Sequence, residues 1–231
     1  MRLQSGAMKI IAGKGYFLGM RVFEGPAVIG GACALAGAIS PNTGLPLTQH
    51  AVVKLGANGF AMPNWDLPEL HFLYSWKCCI SQGDFSYRYT GGRLEIIEYT
   101  AGGDDSDGFP YNDYPVIFPP VQFLLRPVPE EDQDLIRRLN DTRIDQGFRF
   151  DSERAGQLSV PTHQFGGLPF LLDPLVGEKR CVVCGFEMEL VASIGNHCYS
   201  RDEGFFGNDF VQLLFFGCAS CRVLSAVNVT S

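Results

Sequence analysis

Two cysteine pairs in the C-terminal part of the chain have the spacing of metal-binding turns. Cys181 and Cys184 are separated by two residues and followed by Gly185, and Cys218 and Cys221 form a second pair. This spacing lets both sulfurs of a pair point at one ion, while a glycine lets backbone amides approach the sulfur. Four thiolates suit tetrahedral Zn²⁺. The sequence therefore predicts one zinc site, in a zinc-ribbon-like arrangement, with the ligands Cys181, Cys184, Cys218 and Cys221.

The predicted metal site is structural, because four thiolates leave no open position for the water that a catalytic zinc keeps. An iron–sulfur centre uses the same ligands and stays open as the less favoured alternative. A thioredoxin-like redox pair needs a single motif at the start of a helix in a βαβ unit, and neither pair has that context. Ordinary core cysteines would not be expected to repeat one spacing twice.

The other chemically capable residues do not form a known catalytic pattern. No serine elbow, phosphate-binding loop or dinucleotide fingerprint accompanies them. Cys33, Cys78 and Cys79 lack a partner motif and are interpreted as core thiols. Cys198 beside His197 is interpreted as an exposed pair in the loop between the two cysteine turns, with an additional metal ligand as the alternative. His50, His71 and His163 are scattered along the sequence. Asp104, Asp105 and Asp107 depart from the spacing of an EF-hand and favour a solvated acidic loop. We therefore predict no catalytic residue and a protein that is not an enzyme.

The composition is that of a folded, acidic protein. The chain has 231 residues, of which 46% are hydrophobic and 19% charged, and this balance argues against disorder. A net charge of -7 argues against nucleic-acid binding, which usually needs a basic face. The apolar stretch from Pro26 to Ile39 is broken by glycines and too short to cross a bilayer. We expect a cytoplasmic protein without a membrane partner, whose cysteines stay reduced.

Residue patterns predict a β-rich chain with one clear helix. Strand-like patterns cover Leu70–Tyr74, Phe85–Tyr89 and Arg93–Tyr99, and Thr90-Gly91-Gly92 is typical of the turn between the last two. A helix is predicted from Pro129, because three acidic residues follow it and an apolar face runs towards Asn140. The polar segments 102–120 and 141–159 are predicted to be loops or linkers.

Short matches between the two halves predict an internal duplication. Gly44-Leu-Pro-Leu47 is echoed by Gly167-Leu-Pro-Phe170 at an offset of 123 residues, and Asp84-Phe85 by Asp209-Phe210 at an offset of 125. Agreement in spacing is the signature of a repeat. We predict an α+β, β-rich fold of two similar β-sheet units, the second carrying the four-cysteine site. The predicted domains are residues 1–145 and 146–231, with one continuous domain as the alternative.

The segment His163-Gln-Phe-Gly166-Gly167-Leu-Pro169, together with the duplicated strand units, resembles the YwqG-like family of bacterial proteins of unknown function. The resemblance covers mainly residues 44–100 and 163–231. It implies a shared duplicated β-rich fold with a poorly defined role, and some β-rich relatives lie beside toxin genes as immunity proteins. The cysteine turns depart from the simplest family pattern, so the resemblance extends to fold more safely than to function.

These observations favour a cytosolic immunity protein that neutralises a cognate antibacterial toxin by direct binding. An acidic surface suits a basic toxin such as a nuclease, because complementary charge speeds capture and aromatic residues supply binding energy. Some of the many aromatic residues of the first half could serve this interface, although most are expected to be core. Two alternatives stay open, a metal-dependent or thiol enzyme and a zinc-ribbon interaction module.

Overall fold

The structure, a computed structural model, describes residues 8–11, 13–56, 60–62, 64–74, 85–99, 117–142, 152–174, 176–195 and 211–230. The strands in these ranges are β1 (Tyr16–Val22), β2 (Ala27–Ile29), β3 (Thr48–Lys54), β4 (Glu69–Tyr74), β5 (Phe85–Thr90), β6 (Arg93–Glu98), β7 (Val121–Pro127), β8 (Gln164–Phe165), β9 (Glu189–Gly195), β10 (Val211–Cys218) and β11 (Val223–Thr230). The helices are α1 (Glu130–Thr142) and α2 (Glu153–Leu158). The predicted β-rich character is confirmed.

The strands of the described residues lie in one open antiparallel sheet, in the order β4-β3-β2-β7-β1-β8-β9-β10-β11-β5-β6. Strands from both sides of residue 145 take part, because β5 pairs with β11 and places Ser86 opposite Ser225. The sequence predicts two sheet units, whereas the structure has one sheet. The two segments are joined because the β5–β6 hairpin pairs with the edge of β11. The internal duplication stays a prediction.

The sheet folds back over itself around its main core. Phe72 of β4 lies 5.1 Å, ring centre to ring centre, from Phe215 of β10, and 5.6 Å from Phe165 of β8. Neither β8 nor β10 is next to β4 in the sheet, so these contacts form between two layers. Such face-to-face packing buries the apolar faces of both layers, which is the main favourable contribution to folding.

The edge strand β4 is covered by tyrosine side chains from β5. The N–H of Leu73 donates to the Tyr87 hydroxyl at 3.0 Å, and that hydroxyl donates to the His71 carbonyl at 2.6 Å. The N–H of His71 donates to the Tyr89 hydroxyl at 2.8 Å. Backbone groups that an edge strand leaves unpaired are therefore satisfied from another part of the sheet.

The predicted β5–β6 hairpin is confirmed. Thr90 pairs with Arg93, so Gly91 and Gly92 form a two-residue turn, with φ angles of 55° and 80°. A right-twisted hairpin with a two-residue turn favours positive φ at both positions, which glycine adopts without steric cost.

The predicted helix after Pro129 is confirmed as α1, which ends at Thr142. Glu130, Glu131 and Asp132 lie in its first turn, where they interact favourably with the helix dipole. Its apolar residues Ile136 and Leu139 are buried in a cluster that it shares with α2. No helix within the described ranges has the length and apolar character needed to cross a membrane.

The helix α2 lies in the segment 141–159, which the sequence predicts to be a loop or linker. Its N-cap is Ser152, whose hydroxyl accepts a hydrogen bond from the N–H of Ala155 at 3.1 Å. Ala155 and Leu158 are buried against α1 and Phe170. A short amphipathic helix is thus stabilised by its cap and by packing, although its composition is polar.

Candidate metal centre

The first pair of cysteines lies in a tight turn before β9. The N–H of Gly185 donates to the Cys181 carbonyl, and the N–H of Cys181 donates to the Phe186 carbonyl, both at 2.8 Å. Gly185 has a φ of 73°, a left-handed conformation that costs glycine little. This conformation brings the backbone N–H of Phe186 to the Cys184 sulfur. The conformation of Gly185 is compatible with the role predicted for a glycine after the pair.

The second pair lies in the turn between β10 and β11. Cys218 is the last residue of β10 and pairs with Val223, so Cys221 belongs to the four-residue connection. The connection closes on a hydrogen bond from the N–H of Arg222 to the Ala219 carbonyl at 3.1 Å. Arg222 itself has a φ of 54°, in the left-handed region that few non-glycine residues enter.

The residue before the second pair has to be small. A Cβ added at Gly217 would lie 2.7 Å from Cζ2 of Trp65 and 2.9 Å from a methyl carbon of Val191. Trp65 is buried at this point, and the absence of a side chain at Gly217 leaves room for the Trp65 ring beside the end of β10. Gly217 is therefore required by packing beside the site.

Strand pairing brings the two turns together. In the antiparallel pair of β9 and β10, Glu189 at the start of β9 lies opposite Gly217 near the end of β10. The turn that precedes β9 and the turn that follows β10 consequently lie at the same edge of the sheet. The 33 residues between Cys184 and Cys218 are accommodated because both pairs are fixed to neighbouring strands.

The four cysteine sulfurs form one cluster with the dimensions of a metal site. All four Sγ atoms lie within 4.8 Å of one another, and those of Cys184 and Cys218 are 3.8 Å apart. Metal–sulfur bonds of about 2.3 Å in a tetrahedron require sulfurs about 3.8 Å apart. A disulfide would need about 2.05 Å, and all four cysteines are free thiols. The cluster predicted from the sequence is thus brought together, in a form compatible with a metal ion.

The four-cysteine cluster closes a small apolar core. Cys181 and Cys218 are buried beside Met188, Leu190 and Phe216, whereas Cys184 is exposed and Cys221 half-buried. The hydrogen bond from the Phe186 backbone lowers the pKa of Cys184, and burial raises the pKa of Cys218. A bound cation outweighs such differences, because a coordinating thiol is deprotonated outright.

One of the remaining cysteines, Cys33, lies beside a histidine. Its sulfur is 3.8 Å from Nδ1 of His71, and Nε2 of the same ring is 3.1 Å from a Glu69 carboxylate oxygen. Nδ1 is also 2.9 Å from Oε1 of Gln49. Glu69 and His71 are two residues apart on β4, which places both side chains on one face. The sequence alone can indicate that Glu69 and His71 share one face of a strand, whereas the proximity of Cys33 to His71 is visible only in the folded structure.

His50 and His163 are buried in the core. Burial lowers the pKa of each to about 3, and for His50 the neighbouring His163 is a further cause. Both rings are therefore neutral at pH 7. Four aromatic residues of the first half are core as well: Trp65, Tyr74, Tyr87 and Tyr89.

Several sequence predictions lie outside the described residues. These are the interpretations of Cys78, Cys79, His197, Cys198, Asp104, Asp105 and Asp107.

Comparison of the chain with protein-family models, with curated proteins and with solved structures finds no significant match. The resemblance to the YwqG-like family therefore stays a prediction, and the site is interpreted from its own geometry.

Proposed function

We propose that this chain is a cytoplasmic, non-enzymatic binding protein whose four-cysteine centre holds one structural Zn²⁺. The observation that carries the metal proposal is the set of four sulfurs within 4.8 Å of one another, at the common edge of β9 and β10. The zinc-ribbon-like centre fastens the turn before β9 to the β10–β11 turn. Four cysteine thiolates are a closed ligand set, so the ion stabilises the fold and leaves no position for a reacting water.

The spacing of the sulfurs supports one ion over an iron–sulfur cluster. A cluster places several irons and inorganic sulfides between its cysteines, which would hold the Sγ atoms farther apart than ligands of a single ion. The 3.8 Å between Cys184 and Cys218 corresponds to ligands that share one ion. Among single ions, zinc is favoured because it has no redox chemistry and adopts tetrahedral thiolate sites readily.

The metal proposal is tested by measuring metal content and stability together. We expect one zinc per purified chain, and Cys181→Ser should lose it and unfold at a markedly lower temperature. Cys33→Ser is the matched control, because Cys33 is also partly buried but lies outside the cluster, and it should retain zinc. Visible absorption from bound iron, or a Cys181→Ser protein with unchanged zinc content, would refute the proposal.

The first ligand turn supports a role in protein binding. Val182, Val183 and Phe186 project from it, with Phe186 73% exposed and Val183 48% exposed. A metal-fixed turn presents apolar side chains without the entropy loss that ordering a free loop would cost. We call these three residues the knuckle tip and propose that they contact the partner.

The partner we propose is a basic protein, in particular a cognate antibacterial toxin such as a nuclease, which makes this chain an immunity protein. The net charge of -7 favours a basic partner. Four thiolates around one divalent ion add further negative charge directly beneath the knuckle tip. An apolar centre surrounded by complementary charge is the usual composition of a specific interface.

The binding proposal is tested by co-expression with candidate toxins encoded beside its gene. The wild-type chain should protect cells and co-purify with the toxin, whereas Phe186→Ser should weaken binding by tenfold or more, about 1.4 kcal/mol. Phe23→Ser is the matched control, because Phe23 is 97% exposed on another part of the surface. Equal protection by both variants would exclude the knuckle tip, and no protection by the wild type would exclude the immunity role.

A thiol enzyme is the second candidate, and the contact between Cys33 and His71 is the observation that favours it. Two features weigh against it. Burial raises the pKa of Cys33, which disfavours the reactive thiolate. Gln49 also competes for the same His71 nitrogen. Rapid alkylation of Cys33 by iodoacetamide at pH 7, lost in His71→Gln, would support the enzyme over the binding protein.

A further inference from the structure

A cavity of about 370 Å³ lies between the sheet and the two helices. Phe17 of β1 and Phe123 of β7 belong to its sheet side, while Ile136 of α1 and Leu158 of α2 belong to its helical side. Its volume falls near the small end of the range of about 300–1,000 Å³ that is typical of sites for small molecules. Such sites combine apolar walls with a few polar groups that orient the ligand.

The charge of the cavity wall is opposite to that of the chain. Arg126 and Arg154 are among the described lining residues, and these residues include no carboxylate. His163 also lines the cavity and adds no charge at pH 7, since burial lowers its pKa to about 3. In a protein with a net charge of -7, a concave surface with only positive charges selects anionic ligands.

The charge of Arg154 is already compensated. Its Nε donates to Oδ1 of Asp132 at 2.9 Å, its Nη2 donates to Oδ2 of the same carboxylate, and its Nη1 donates to Oε1 of Gln157 at 3.1 Å. Asp132 is buried behind it. This bidentate pair fixes the guanidinium in the wall and leaves it little net charge for a ligand.

Arg126 is different, because it has no carboxylate partner within the described part of the chain. None of the ion pairs found there includes it. Arg126 lies opposite Phe17 in the β1–β7 pairing, and its guanidinium is 5.6 Å from the centre of that ring. The exposed cation is thus held over one aromatic wall of the cavity by a cation–π contact.

We propose that this cavity binds a small organic monocarboxylate whose apolar body occupies the space between the sheet and helices and whose carboxylate pairs with Arg126. A guanidinium matches a carboxylate in two parallel hydrogen bonds. A phosphate ester would bring a charge of about -1.5 to -2 at pH 7, whereas the wall offers one uncompensated cation. Binding here is independent of the metal centre and of the knuckle tip.

The proposal is tested by titrating the full chain with hexanoate, 3-phenylpropionate and 4-phenylbutyrate, each beside its neutral amide. At least one carboxylate should bind with a Kd below about 1 mM, and its amide at least about tenfold more weakly. Arg126→Gln should weaken carboxylate binding about tenfold while leaving the amide unchanged. Arg137→Gln removes the same charge from an exposed position of α1, where Arg137 pairs with Asp134, and should bind like the wild type.

A second variant changes the charge of the cavity wall and leaves Arg126 in place. Gln157→Glu keeps an acceptor for Arg154 and adds a negative charge, so it should also weaken carboxylate binding about tenfold. Failure of all three carboxylates to bind, equal affinity for acids and amides, or an Arg126→Gln protein with wild-type affinity would each overturn the proposal. Thermal unfolding of every variant, followed by circular dichroism, establishes that the comparisons concern folded proteins.

Discussion

Tyr87 and Tyr89 show how single hydroxyl groups can complete a β-sheet. Their side chains cross the core from β5, and their oxygens bond the backbone of β4 where a further strand would otherwise pair. The bond between the Tyr87 hydroxyl and the His71 carbonyl, at 2.6 Å, is fully buried. A buried backbone group that loses its partner costs about 1–3 kcal/mol. The tyrosine hydroxyls therefore contribute to stability as well as filling space.

Tyr87→Phe tests this role with the smallest possible change. Phenylalanine keeps the ring and leaves the Leu73 N–H without its partner, so the free energy of unfolding should fall by about 1–3 kcal/mol. Tyr99→Phe is the control, because Tyr99 is substantially exposed. Urea denaturation measures both. Equal stability of the two variants would mean that the hydroxyl of Tyr87 is not needed to pair the β4 edge.

His50 and His163 make stability depend on pH. Burial lowers the pKa of each to about 3, whereas the unfolded value is 6.5. Between these values the unfolded chain binds protons that the folded chain does not, so the free energy of unfolding falls as pH falls. Well below pH 6.5 each histidine contributes about 1.4 kcal/mol per pH unit. The dependence fades over about one pH unit above 6.5.

Urea denaturation at pH 7 and pH 5 with saturating zinc measures the dependence. His163→Gln should lose less stability than the wild type over this interval, since one linked proton is removed. Protonation of metal-bound thiolates would also destabilise the protein at low pH, but it would affect the wild type and the variant equally. If the variant lost as much stability as the wild type between pH 7 and pH 5, this result would contradict a neutral, buried His163.

Among the elements, those with strong local signals are predictable from the sequence and those that depend on distant partners are not. Gly91 and Gly92 specify the β5–β6 turn, and the acidic residues after Pro129 specify the start of α1. The members of the four-cysteine cluster are predictable for the same reason, because each cysteine pair is a local motif. The helix α2 is not predicted, because its charged sequence resembles a linker and only the cap at Ser152 indicates a helix.

The position of β5 beside β11 could not be predicted from the sequence, because their residues are separated by more than 130 positions and no local pattern encodes the pairing. The same limit applies to the contact of Cys33 with His71, which joins the segment after β2 to β4. A strand pattern indicates which face is buried, while the partner is decided by which apolar faces and free edges the folded chain offers.

An ion pair joins the two helices, and two matched substitutions test its contribution to stability. Asp132 of α1 is buried, and Arg154 of α2 is its bidentate partner. Arg154→Met leaves a buried carboxylate without compensation, and because the arginine is half-exposed we expect a loss of about 1–3 kcal/mol. Arg137→Met breaks an exposed pair with Asp134, and should cost less than about 0.5 kcal/mol. Similar losses in the two variants, measured by urea denaturation, would contradict this role.

At the scale of the whole molecule, the sheet joins the two segments that the sequence separates at residue 145. The β5–β6 hairpin of the first segment pairs with β11 of the second, and the buried hydroxyls of Ser86 and Ser225 meet at 2.6 Å across this pairing. The main core is shared as well, since Phe72 and Phe215 come from different segments. Separation would expose apolar surface on both segments and leave a free strand edge on each.

Expression of residues 1–145 and 146–231 as separate chains tests whether the shared sheet makes them one cooperative unit. The intact protein should unfold in a single transition seen alike by circular dichroism and by tyrosine and tryptophan fluorescence. Neither segment alone should show a cooperative thermal transition, even with zinc supplied to the second, because β11 lacks β5 and half of the core is missing. Mixing the segments should restore the transition. Independent cooperative folding of either segment would instead establish two domains and favour the duplication.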